Sequence, residues 1–411
     1  MTPSGWEVKK LNELCEINPK KPSKPSDELV SFISMSQVSE DGQIISTETK
    51  TYDEVSKGFT SFKDKDVLVA KITPCFENGK GALAHTLVNG IGFGSTEFHV
   101  LRAKENTDPK FIYYLTRTDA FRAKGTMNMQ GSAGHRRVTT DFIQIYKINT
   151  PPLPEQQKIA KILTTWDKAI SITERLIENS TQQKKALMQQ LLTGKKRLLD
   201  DEGERFEGEW DRVDLEDVCD VKGGKRLPKG NALSEAKTSN PYIRVADMYM
   251  GGVDLSDIKY VPESIAPLIK NYTISKDDLF ITVAGTLGIV GKIPNELDGA
   301  NLTENADKLT NIKCDKTFLL YVMMSSIIQR YIEAESTQNA QPKLALARIR
   351  GFKVPLPNLE EQQKIATVLT NADKEIELLE QQLADLQQEK KALMQVLLTG
   401  KKRVLVKRKV A

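Results

Sequence analysis

The chain has 411 residues, of which 39% are apolar and 28% charged, and a formal net charge of +4 at pH 7. This length and apolar content suffice for two ordinary hydrophobic cores. Four cysteines without a CxxC pair, and three histidines without metal-ligand spacing, argue against a zinc site or a disulfide framework and favour a reducing, cytoplasmic environment. No apolar run approaches the roughly 18 residues of a membrane span, and the N-terminal residues lack the apolar core of a signal peptide.

Charge is spread unevenly along the chain. The net charge is +2 for residues 1–150, +5 for 155–199, −5 for 200–353 and +2 for 354–411. Eleven acidic residues lie between Asp200 and Asp220, and this segment is expected to face away from any nucleic acid. The weakly basic total neither proves nor excludes nucleic-acid binding, but it argues against a large nonspecific electrostatic contribution.

A long internal repeat indicates two copies of one large unit. Residues Glu155 to Leu199 return as Glu361 to Leu405, with 27 of 45 positions identical and no gap. A period of 206 residues is too long for a solenoid. Fainter echoes in the preceding segments pair Trp6 with Trp210, Phe32–Val38 with Tyr242–Met248, Asp66–Val69 with Asp278–Ile281, and Thr96-Glu97 with Thr303-Glu304.

In chain order, the repeat predicts a globular domain over residues 1–154, a helix over 155–199, a second domain over 200–357 that begins with the acidic segment, and a helix with a basic tail over 358–411. Glycine-rich segments in the domains do not form nucleotide-binding loops. Gly90 to Gly94 has the wrong spacing and is expected to be a turn between strands. Gly285 to Ile293 lacks the first glycine and the final Ser or Thr of a phosphate loop, and is expected to be a hairpin loop equivalent to Lys71 to Lys80.

The apolar positions of both helices predict a coiled-coil seam. In the second helix they alternate in steps of four and three from Ile365 to Leu397, and the first helix matches from Ile159 to Leu191 with polar breaks at Thr173, Ser180 and Lys184. Gly194 and Gly400 stand where a left-handed C-terminal cap is needed, and Asn358 with Glu361 suggests a capping box. The basic tails that follow the glycines are interpreted as charges that complement the helix dipole, with phosphate contact as the alternative.

Connectivity predicts that the two helices are antiparallel. The second domain starts just past the end of the first helix, and the second helix leaves from that domain. If the two ends of the domain lie close together, the second helix returns beside the first. A plain dimerisation coil is the alternative that periodicity alone leaves open.

The motifs PLP, EQQKIA and KKALMQxLLTGKKR, repeated in this order after two dissimilar domains, resemble the specificity (S) subunit of type I restriction–modification enzymes. The resemblance implies an α+β (mixed α/β) fold, with two target-recognition domains, two long antiparallel coiled-coil helices and a pseudo-two-fold repeat. It further implies that each domain reads one half of a bipartite, asymmetric DNA sequence, while the helices set the spacer and bind two methyltransferase (M) subunits. Restriction (R) subunits are possible additional partners.

The resemblance also implies a non-catalytic chain that binds no cofactor itself. S-adenosylmethionine, ATP and magnesium are expected on the partner subunits, and the chain contains neither a methyltransferase Asn-Pro-Pro-aromatic motif nor GxGxxG. Two alternatives stay open: the specificity subunit of a methylation-only system, and a coiled-coil scaffold that joins two protein-binding domains.

Base reading requires side chains with hydrogen-bonding groups on loops that approach DNA closely. The best candidate in the first domain is the loop over 127–137, together with the hairpin loop that carries two lysines. The second domain offers the matching segment 336–343 and a basic loop over 222–229. The candidate DNA-contact residues are Lys71, Lys80, Gln130, Ser132, His135, Arg136 and Arg137 in the first domain, and Lys222, Lys225, Arg226, Lys229, Gln338, Asn339, Gln341 and Lys343 in the second. The alternative for each loop is a solvated polar loop without a partner.

Overall fold

The computed structural model describes residues 2–132, 134–336 and 343–405. The chain divides into two compact units: unit 1 comprises Met1–Glu174 with Gln381–Ala411, and unit 2 comprises Arg175–Glu380. Each unit therefore contains one mixed α/β domain, the first part of the long helix that follows it, and the last part of the other long helix.

The domain of unit 1 contains two four-stranded sheets. Its strands are β1 (Glu7–Lys10), β2 (Cys15–Ile17), β3 (Leu29–Ile33), β4 (Glu48–Thr51), β5 (Thr60–Lys63), β6 (Val67–Ala70), β7 (Gly81–Leu83), β8 (Ile91–Gly94), β9 (Phe98–Ala103), β10 (Met129–Gln130), β11 (Arg137–Val138) and β12 (Lys147–Thr150). Its helices are α1 (Leu11–Leu14), α2 (Tyr52–Val55), α3 (Pro109–Thr116), α4 (Asp119–Met127) and α5 (Thr140–Ile145), with 3₁₀ turns at Met35–Gln37 and Val88–Gly90. The sheet orders are β2-β9-β6-β7 and β4-β3-β8-β5.

The domain of unit 2 repeats this plan. Its strands are β13 (Asp211–Asp214), β14 (Asp220–Gly223), β15 (Pro241–Ile243), β16 (Met248–Tyr249), β17 (Gly252–Val253), β18 (Lys259–Tyr260), β19 (Thr273–Ile274), β20 (Leu279–Thr282), β21 (Val290–Lys292), β22 (Ala300–Leu302), β23 (Ala306–Thr310) and β24 (Lys353–Leu356). Its helices are α7 (Leu215–Val218), α8 (Ala266–Ile269), α9 (Lys316–Met324), α10 (Ser326–Ser336) and α11 (Leu346–Arg350), with 3₁₀ turns at Val245–Asp247 and Asn295–Leu297. The sheet orders are β14-β23-β20-β21 and β18-β15-β22-β19.

Equivalent strands and turns make the internal repeat visible throughout both domains. In each domain the first sheet is antiparallel, and the second contains one parallel pair, β3 with β8 or β15 with β22. The predicted equivalence of Asp66 with Asp278 is confirmed, because each carboxylate accepts from the backbone N–H three residues before it. The predicted pairing of Thr96-Glu97 with Thr303-Glu304 is wrong by one residue. Lys71 N–H donates to the Glu97 carbonyl, and the equivalent Val283 N–H donates to the Asn305 carbonyl. Glu97 therefore corresponds to Asn305.

Buried apolar strands explain where the cores lie. All four residues of β6 and of β20 are buried, as expected for a strand in the middle of a sheet with both faces covered. Helix α3 starts at an Asp108 cap, which accepts from Phe111 N–H, and α9 starts at an equivalent Asp315 cap. The apolar faces of these helices complete the main core of each unit.

Four of the five residues of the segment Gly90–Gly94 form a strand rather than the predicted turn. Residues Ile91–Gly94 form β8, which is buried along its length. A Cβ on Gly92 would lie 2.1 Å from the Phe62 ring, and one on Gly94 would lie 2.2 Å from the Ile33 carbonyl oxygen. These glycines therefore allow close packing inside the sheet, a role that spacing alone does not distinguish from a turn.

The first and last strands of each domain are paired. Strand β1 is antiparallel to β12, and β13 is antiparallel to β24. The points where the chain enters and leaves each domain are therefore neighbours. This is the condition on which the prediction of antiparallel helices depended.

The two long helices are α6 (Leu153–Leu191) and α12 (Leu359–Leu397), each of 39 residues, or about 58 Å at 1.5 Å per residue. Every predicted seam position from Ile159 to Leu191 and from Ile365 to Leu397 is buried or half-buried. Within unit 1, Asp167 of α6 pairs with Lys390 of α12 at 2.5 Å while Glu155 pairs with Arg403 at 2.7 Å. Residue numbers rise along one helix as they fall along the other, so the pair is antiparallel there. The helices of unit 2 are antiparallel too, because Lys184 pairs with Asp373 and Arg197 pairs with Glu361.

The helix caps agree with the sequence in part. Gly194 and Gly400 have φ of 70° and 74°, as the predicted left-handed caps require. Asn358 caps α12, because its side-chain oxygen accepts from Glu361 N–H at 2.9 Å. The reciprocal half of the predicted capping box is wrong, since the Glu361 carboxylate binds Arg197 and Trp210 instead.

Candidate nucleic-acid interface

The predicted loop of the first domain is a short hairpin. Strands β10 and β11 pair Gln130 with Arg137, and the tip closes through a hydrogen bond of 3.0 Å from His135 N–H to the Ser132 carbonyl. Gln130, Ser132 and His135 are all exposed. The hairpin thus presents three polar side chains to solvent.

Backbone hydrogen bonds attach this hairpin to the segment that follows β6. Val138 N–H donates to the Lys71 carbonyl at 2.8 Å, and Thr73 N–H donates to the Arg136 carbonyl at 2.9 Å. The fold therefore brings Lys71 close to Arg136 and Arg137, which lie 65 and 66 positions later in the sequence. Lys80, at the far end of the same segment, donates from Nζ to the Met35 carbonyl at 3.2 Å.

The two arginines of the hairpin are bound to carboxylates. Arg137 donates to Glu97 from Nε and Nη2, both at 2.9 Å, and from Nη1 to the His135 carbonyl at 3.0 Å. Arg136 lies 3.5 Å from Glu77. Hydrogen bonding from Arg137 holds the pKa of Glu97 below its ordinary value. All three nitrogens of Arg137 are thereby engaged, which makes it a residue that organises the hairpin as well as a candidate contact.

A buried histidine beneath the hairpin was missed by sequence reasoning. His99 on β9 is 2% exposed, and its Nε2 lies 2.9 Å from the Val138 carbonyl oxygen. Its Nδ1 lies 3.4 Å from the Asn18 amide nitrogen. Burial is the main reason why the pKa of His99 is lowered. A neutral ring that accepts at Nδ1 and donates at Nε2 satisfies both contacts, and no sequence spacing signals this pair.

In unit 2 the basic loop is held close to the end of β22. Lys225 N–H donates to the Leu302 carbonyl at 2.8 Å, and a Cβ on Gly224 would lie 2.0 Å from the Thr303 carbonyl oxygen. Only glycine permits this approach. The side chains of Lys222, Lys225, Arg226 and Lys229 are exposed. The ammonium of Lys222 lies 3.1 Å from Asp220 and that of Lys225 lies 5.4 Å from the Tyr272 ring centroid, while Arg226 pairs with Glu304.

Lys343 occupies the position of Arg137 in the second domain. Leu344 N–H donates to the Val283 carbonyl at 2.9 Å, just as Val138 N–H donates to Lys71, and Lys343 pairs with Ala284 as Arg137 pairs with Ile72. Its side chain is exposed. The other three candidates of this segment, Gln338, Asn339 and Gln341, lie outside the described residues.

Asp307 takes the position of His99 on the equivalent strand. It is 4% exposed, and its Oδ2 has no hydrogen-bond partner among the described residues. Burial raises its pKa to about 6, although the positive charges of Lys343 and Arg350 act in the opposite direction. Both domains therefore bury a titratable group at the base of the segment that carries the candidate contacts.

The repeated tails form a clamp at the start of each helix. In unit 1, buried Glu155 accepts from Trp6 Nε1 at 3.0 Å and from Arg403 at 2.7 Å. In unit 2, buried Glu361 accepts from Trp210 Nε1 at 3.1 Å and from Arg197 at 2.6 Å. Each arginine also lies over the tryptophan ring. The interpretation of Arg197 and Arg403 as helix-dipole charges is wrong, because both are bound to a glutamate of the other helix.

A second repeated contact explains the lysines at the seam positions 184 and 390. Asp167 accepts from the Tyr114 hydroxyl and pairs with Lys390, while Asp373 accepts from the Tyr321 hydroxyl at 2.6 Å and pairs with Lys184. The lysines break the apolar seam because each neutralises an aspartate of the facing helix. Identical residues in the two helices thus make identical contacts in the two units.

Comparison with known proteins identifies the family. The model of the type I restriction modification DNA specificity domain matches residues 3–180 and 207–388. The chain belongs to this family.

Two relatives extend the match to the type I specificity subunits, and one solved structure has the same fold. The EcoAI specificity subunit of Escherichia coli is 38% identical over 181 residues, which are 43% of this chain and 30% of that relative. The aligned part thus spans less than a third of the relative's length. The MjaVIII specificity subunit of Methanocaldococcus jannaschii is 25% identical over 98% of this chain and 94% of its own length. The S subunit of the type I restriction–modification system from M. genitalium is 18% identical, with a TM-score of 0.57 over 96% of both chains, and shows the shared fold.

No helix among the described residues is long and apolar enough to cross a membrane. Likewise, these residues contain no group of three or more His, Cys, Asp or Glu side chains suited to a metal ion.

Proposed function

We propose that this chain is the DNA-binding specificity subunit of a type I restriction–modification system, in which each domain reads one half of a bipartite, asymmetric target. The observation that carries the proposal is a contrast within the repeat. The helix contacts of the two units are identical, whereas the side chains at equivalent positions around the candidate loops differ, with His99 and Arg137 in one domain and Asp307 and Lys343 in the other. Two domains that share their helix contacts but differ in their loop side chains fit a target with two different half-sites.

In this proposal the loop side chains divide between base edges and phosphates. Gln130, Ser132 and His135 can donate to and accept from base edges, so we assign them to base reading. Lys71, Lys80, Lys222, Lys225 and Lys229 are assigned to phosphates, which position the chain. Arg226 is 77% exposed and its pair with Glu304 is worth little in water, so a phosphate can replace the carboxylate.

The two long helices set the spacer and carry the partner subunits. We propose two M subunits, which bring S-adenosylmethionine to methylate adenine, and R subunits where the system has them, which bring ATP and magnesium. The chain itself contributes recognition and geometry and no catalytic residue.

A mobility-shift assay with randomised duplex DNA tests the proposal. The chain, co-expressed with its M subunit, should select a sequence with two defined halves and an unspecified spacer. Methylation-sensitive sequencing of DNA from the expressing cells should report the same sequence. Absence of any sequence preference in both assays would favour the scaffold alternative, and the presence or absence of a neighbouring restriction gene separates restriction from methylation alone.

A further inference from the structure

Helices α3 and α9 occupy equivalent places in the two domains and share few residues. Of the nine positions from Asp108 to Thr116, three are identical in the equivalent segment from Asp315 to Met323. In the first domain these three are Asp108, Phe111 and Tyr114. Since the other six positions differ, the identical ones indicate a requirement that both domains share.

Two polar contacts hold α3 lengthwise on α6 within unit 1. At the start of α3, Asp108 N–H donates to Gln156 Oε1 at 2.9 Å. Six positions later, the Tyr114 hydroxyl donates to the Asp167 carboxylate and lies 3.2 Å from Thr164 Oγ1. Residue numbers rise together along the two helices, so α3 runs parallel to the first part of α6.

Unit 2 repeats both contacts, with α9 on α12. Asp315 N–H donates to Gln362 Oε1 at 2.8 Å, and the Tyr321 hydroxyl donates to Asp373 at 2.6 Å. In each unit the aspartate also pairs with a lysine of the facing long helix. These Tyr-Asp-Lys triads comprise Tyr114, Asp167 and Lys390 in unit 1, and Tyr321, Asp373 and Lys184 in unit 2.

The tyrosine hydroxyls of the triads are buried donors. Tyr114 is 2% exposed and Tyr321 is 4% exposed. Burial raises the pKa of both hydroxyls, and the neighbouring aspartate acts in the same direction. Each hydroxyl therefore stays protonated and donates to a charged acceptor. Such a hydrogen bond is stronger than one between neutral groups, and it depends on direction.

The triad of unit 1 lies at the edge of open space. A cleft of about 880 Å³ separates Asp119 of the domain from Ile170 and Glu174 of α6, and Asp167 also lines it. Lys391 of α12 approaches Asp119 to 3.5 Å across this cleft, but both side chains are exposed and their pair contributes little. The open space allows the domain to tilt on α6 once the triad is broken.

We infer that the triads fix the angle of each domain on its long helix, and that they thereby keep the spacer between the two half-sites to a single length. This inference rests on the proposed function, in which both domains bind one duplex. Phe111 shares a buried apolar cluster with Ile159 and Leu163, and such apolar packing is non-directional and permits small rotations. Polar contacts at two separate points of α6 prevent them. Gln156 and Asp167 are eleven positions apart, or about 16 Å along the helix.

The geometry of DNA makes this angle important. Adding or removing one base pair moves one half-site by about 3.4 Å along the duplex and turns it by about 35° relative to the other. A domain that follows the displaced half-site must shift on its long helix, and the directional hydrogen bond of the triad then breaks. The free energy of this bond therefore counts against every wrong spacer. It does not affect the choice of bases, because the triad residues are not among the candidate DNA contacts.

Replacing the tyrosines by phenylalanine tests the inference through the length of the selected spacer. The full chain, co-expressed with its M subunit, selects from pools of randomised duplexes, and the wild type should recover one spacer length. Tyr114→Phe and Tyr321→Phe should each recover the same half-site bases. Their preference for that spacer over one a base pair longer or shorter should fall about ten-fold, because a hydrogen bond to a charged group is lost.

Tyr113→Phe is the matched control for Tyr114→Phe. Tyr113 is the neighbouring residue on α3, and its hydroxyl donates to the Gly42 carbonyl at 3.1 Å within the same domain. This variant also loses one hydroxyl hydrogen bond but leaves the contacts with α6 and α12 intact. It should recover the single spacer length of the wild type.

The outcomes separate failure of the inference from failure of the proposed function. If both triad variants keep the single spacer, if Tyr113→Phe relaxes it equally, or if the wild type accepts several lengths, the inference is wrong and the proposed function stands. A change of the selected bases in a triad variant would also overturn the inference. Should Tyr114→Phe fail to fold, Tyr321→Phe decides the question in unit 2. If the wild type selects no bipartite sequence, the proposed function and the inference fail together.

Discussion

At the scale of single residues, the clamps show how a buried charge depends on its partner. The Glu155 side chain is 5% exposed and that of Glu361 is 1% exposed, and each is neutralised by one arginine from the other helix. Removing one member of a buried ion pair strands the other charge, at a cost of about 3–5 kcal/mol. By contrast, an exposed pair such as Lys24 with Asp53 contributes at most about 1 kcal/mol.

We therefore expect Arg403→Ala and Arg197→Ala each to lower the free energy of unfolding by about 3–5 kcal/mol. Urea denaturation followed by tryptophan fluorescence reports the clamps directly, because Trp6 and Trp210 are part of them. Lys24→Ala is the control and should change little. Equal, small losses in all three variants would show that the clamps do not stabilise the units.

The clamp of unit 1 also predicts a dependence on pH. Burial alone would raise the pKa of Glu155, but hydrogen bonds from Arg403 and Trp6 outweigh it, and the pKa is lowered from 4.5. A carboxyl with a depressed pKa in the folded state stabilises the fold above its unfolded pKa, and this stabilisation is lost as the pH falls through the folded value. Glu155→Gln should therefore flatten the loss of stability below about pH 4.5, measured by urea denaturation between pH 3 and pH 6.

Asp307 behaves in the opposite way. Its pKa is raised from 3.8 to about 6 by burial, so the folded state binds more protons than the unfolded state between these values. Stability must then fall as the pH rises through that window. Asp307→Asn should stabilise the protein at pH 7.5 by about 1–3 kcal/mol and leave it little changed at pH 4. The exposed Asp277→Asn variant is the control, and a destabilised Asp307→Asn variant at pH 7.5 would contradict the assignment.

At the scale of elements, the hairpin of the first domain is the proposed unit of base reading. Gln130 is exposed on β10, opposite Arg137, whose guanidinium is fixed by Glu97. Gln130→Ala should relax recognition at one position of one half-site, with a loss of about 1–3 kcal/mol of discrimination. Selection from randomised duplexes measures this, and the other half-site serves as the internal control. If the base preference is unchanged in both half-sites, Gln130 does not read a base.

The helices were predictable from the sequence, whereas the contacts of the hairpin formed by β10 and β11 were not. A heptad pattern fixes which face of α6 and α12 is buried, because side-chain direction follows from helical period alone. Lys184 appears in that pattern as a break and Lys390 occupies the same seam position, although only the facing helix shows that Asp373 and Asp167 neutralise them. The contact of His99 with Val138 joins a central strand to a loop 39 positions later, and no local period signals such a contact.

Helix length is the element that sets the spacer in the proposed function. Deleting one heptad from the middle of both α6 and α12 keeps the clamps and shortens the helices by about 10 Å. The selected sequence should then have a spacer shorter by about three base pairs. Recovery of the original spacer from a folded variant would show that the helices do not determine the distance.

At the scale of the whole molecule, the repeat makes the two halves of the chain interchangeable in their contacts. Arg197 binds Glu361 in unit 2 as Arg403 binds Glu155 in unit 1, and the residues around each arginine are identical. A fragment of residues 1–205 carries both Glu155 and Arg197. Two copies can therefore supply each other's clamp, and we expect the fragment to form a dimer that sedimentation velocity detects. Arg197→Ala should keep the same fragment monomeric.

The pairing of β1 with β12, and of β13 with β24, has an evolutionary corollary. Because each domain enters and leaves the chain at adjoining backbone positions, a recombination event can replace everything between them while leaving the framework intact. A new half-specificity then arises in one genetic step, with the older half and the assembly interfaces inherited unchanged.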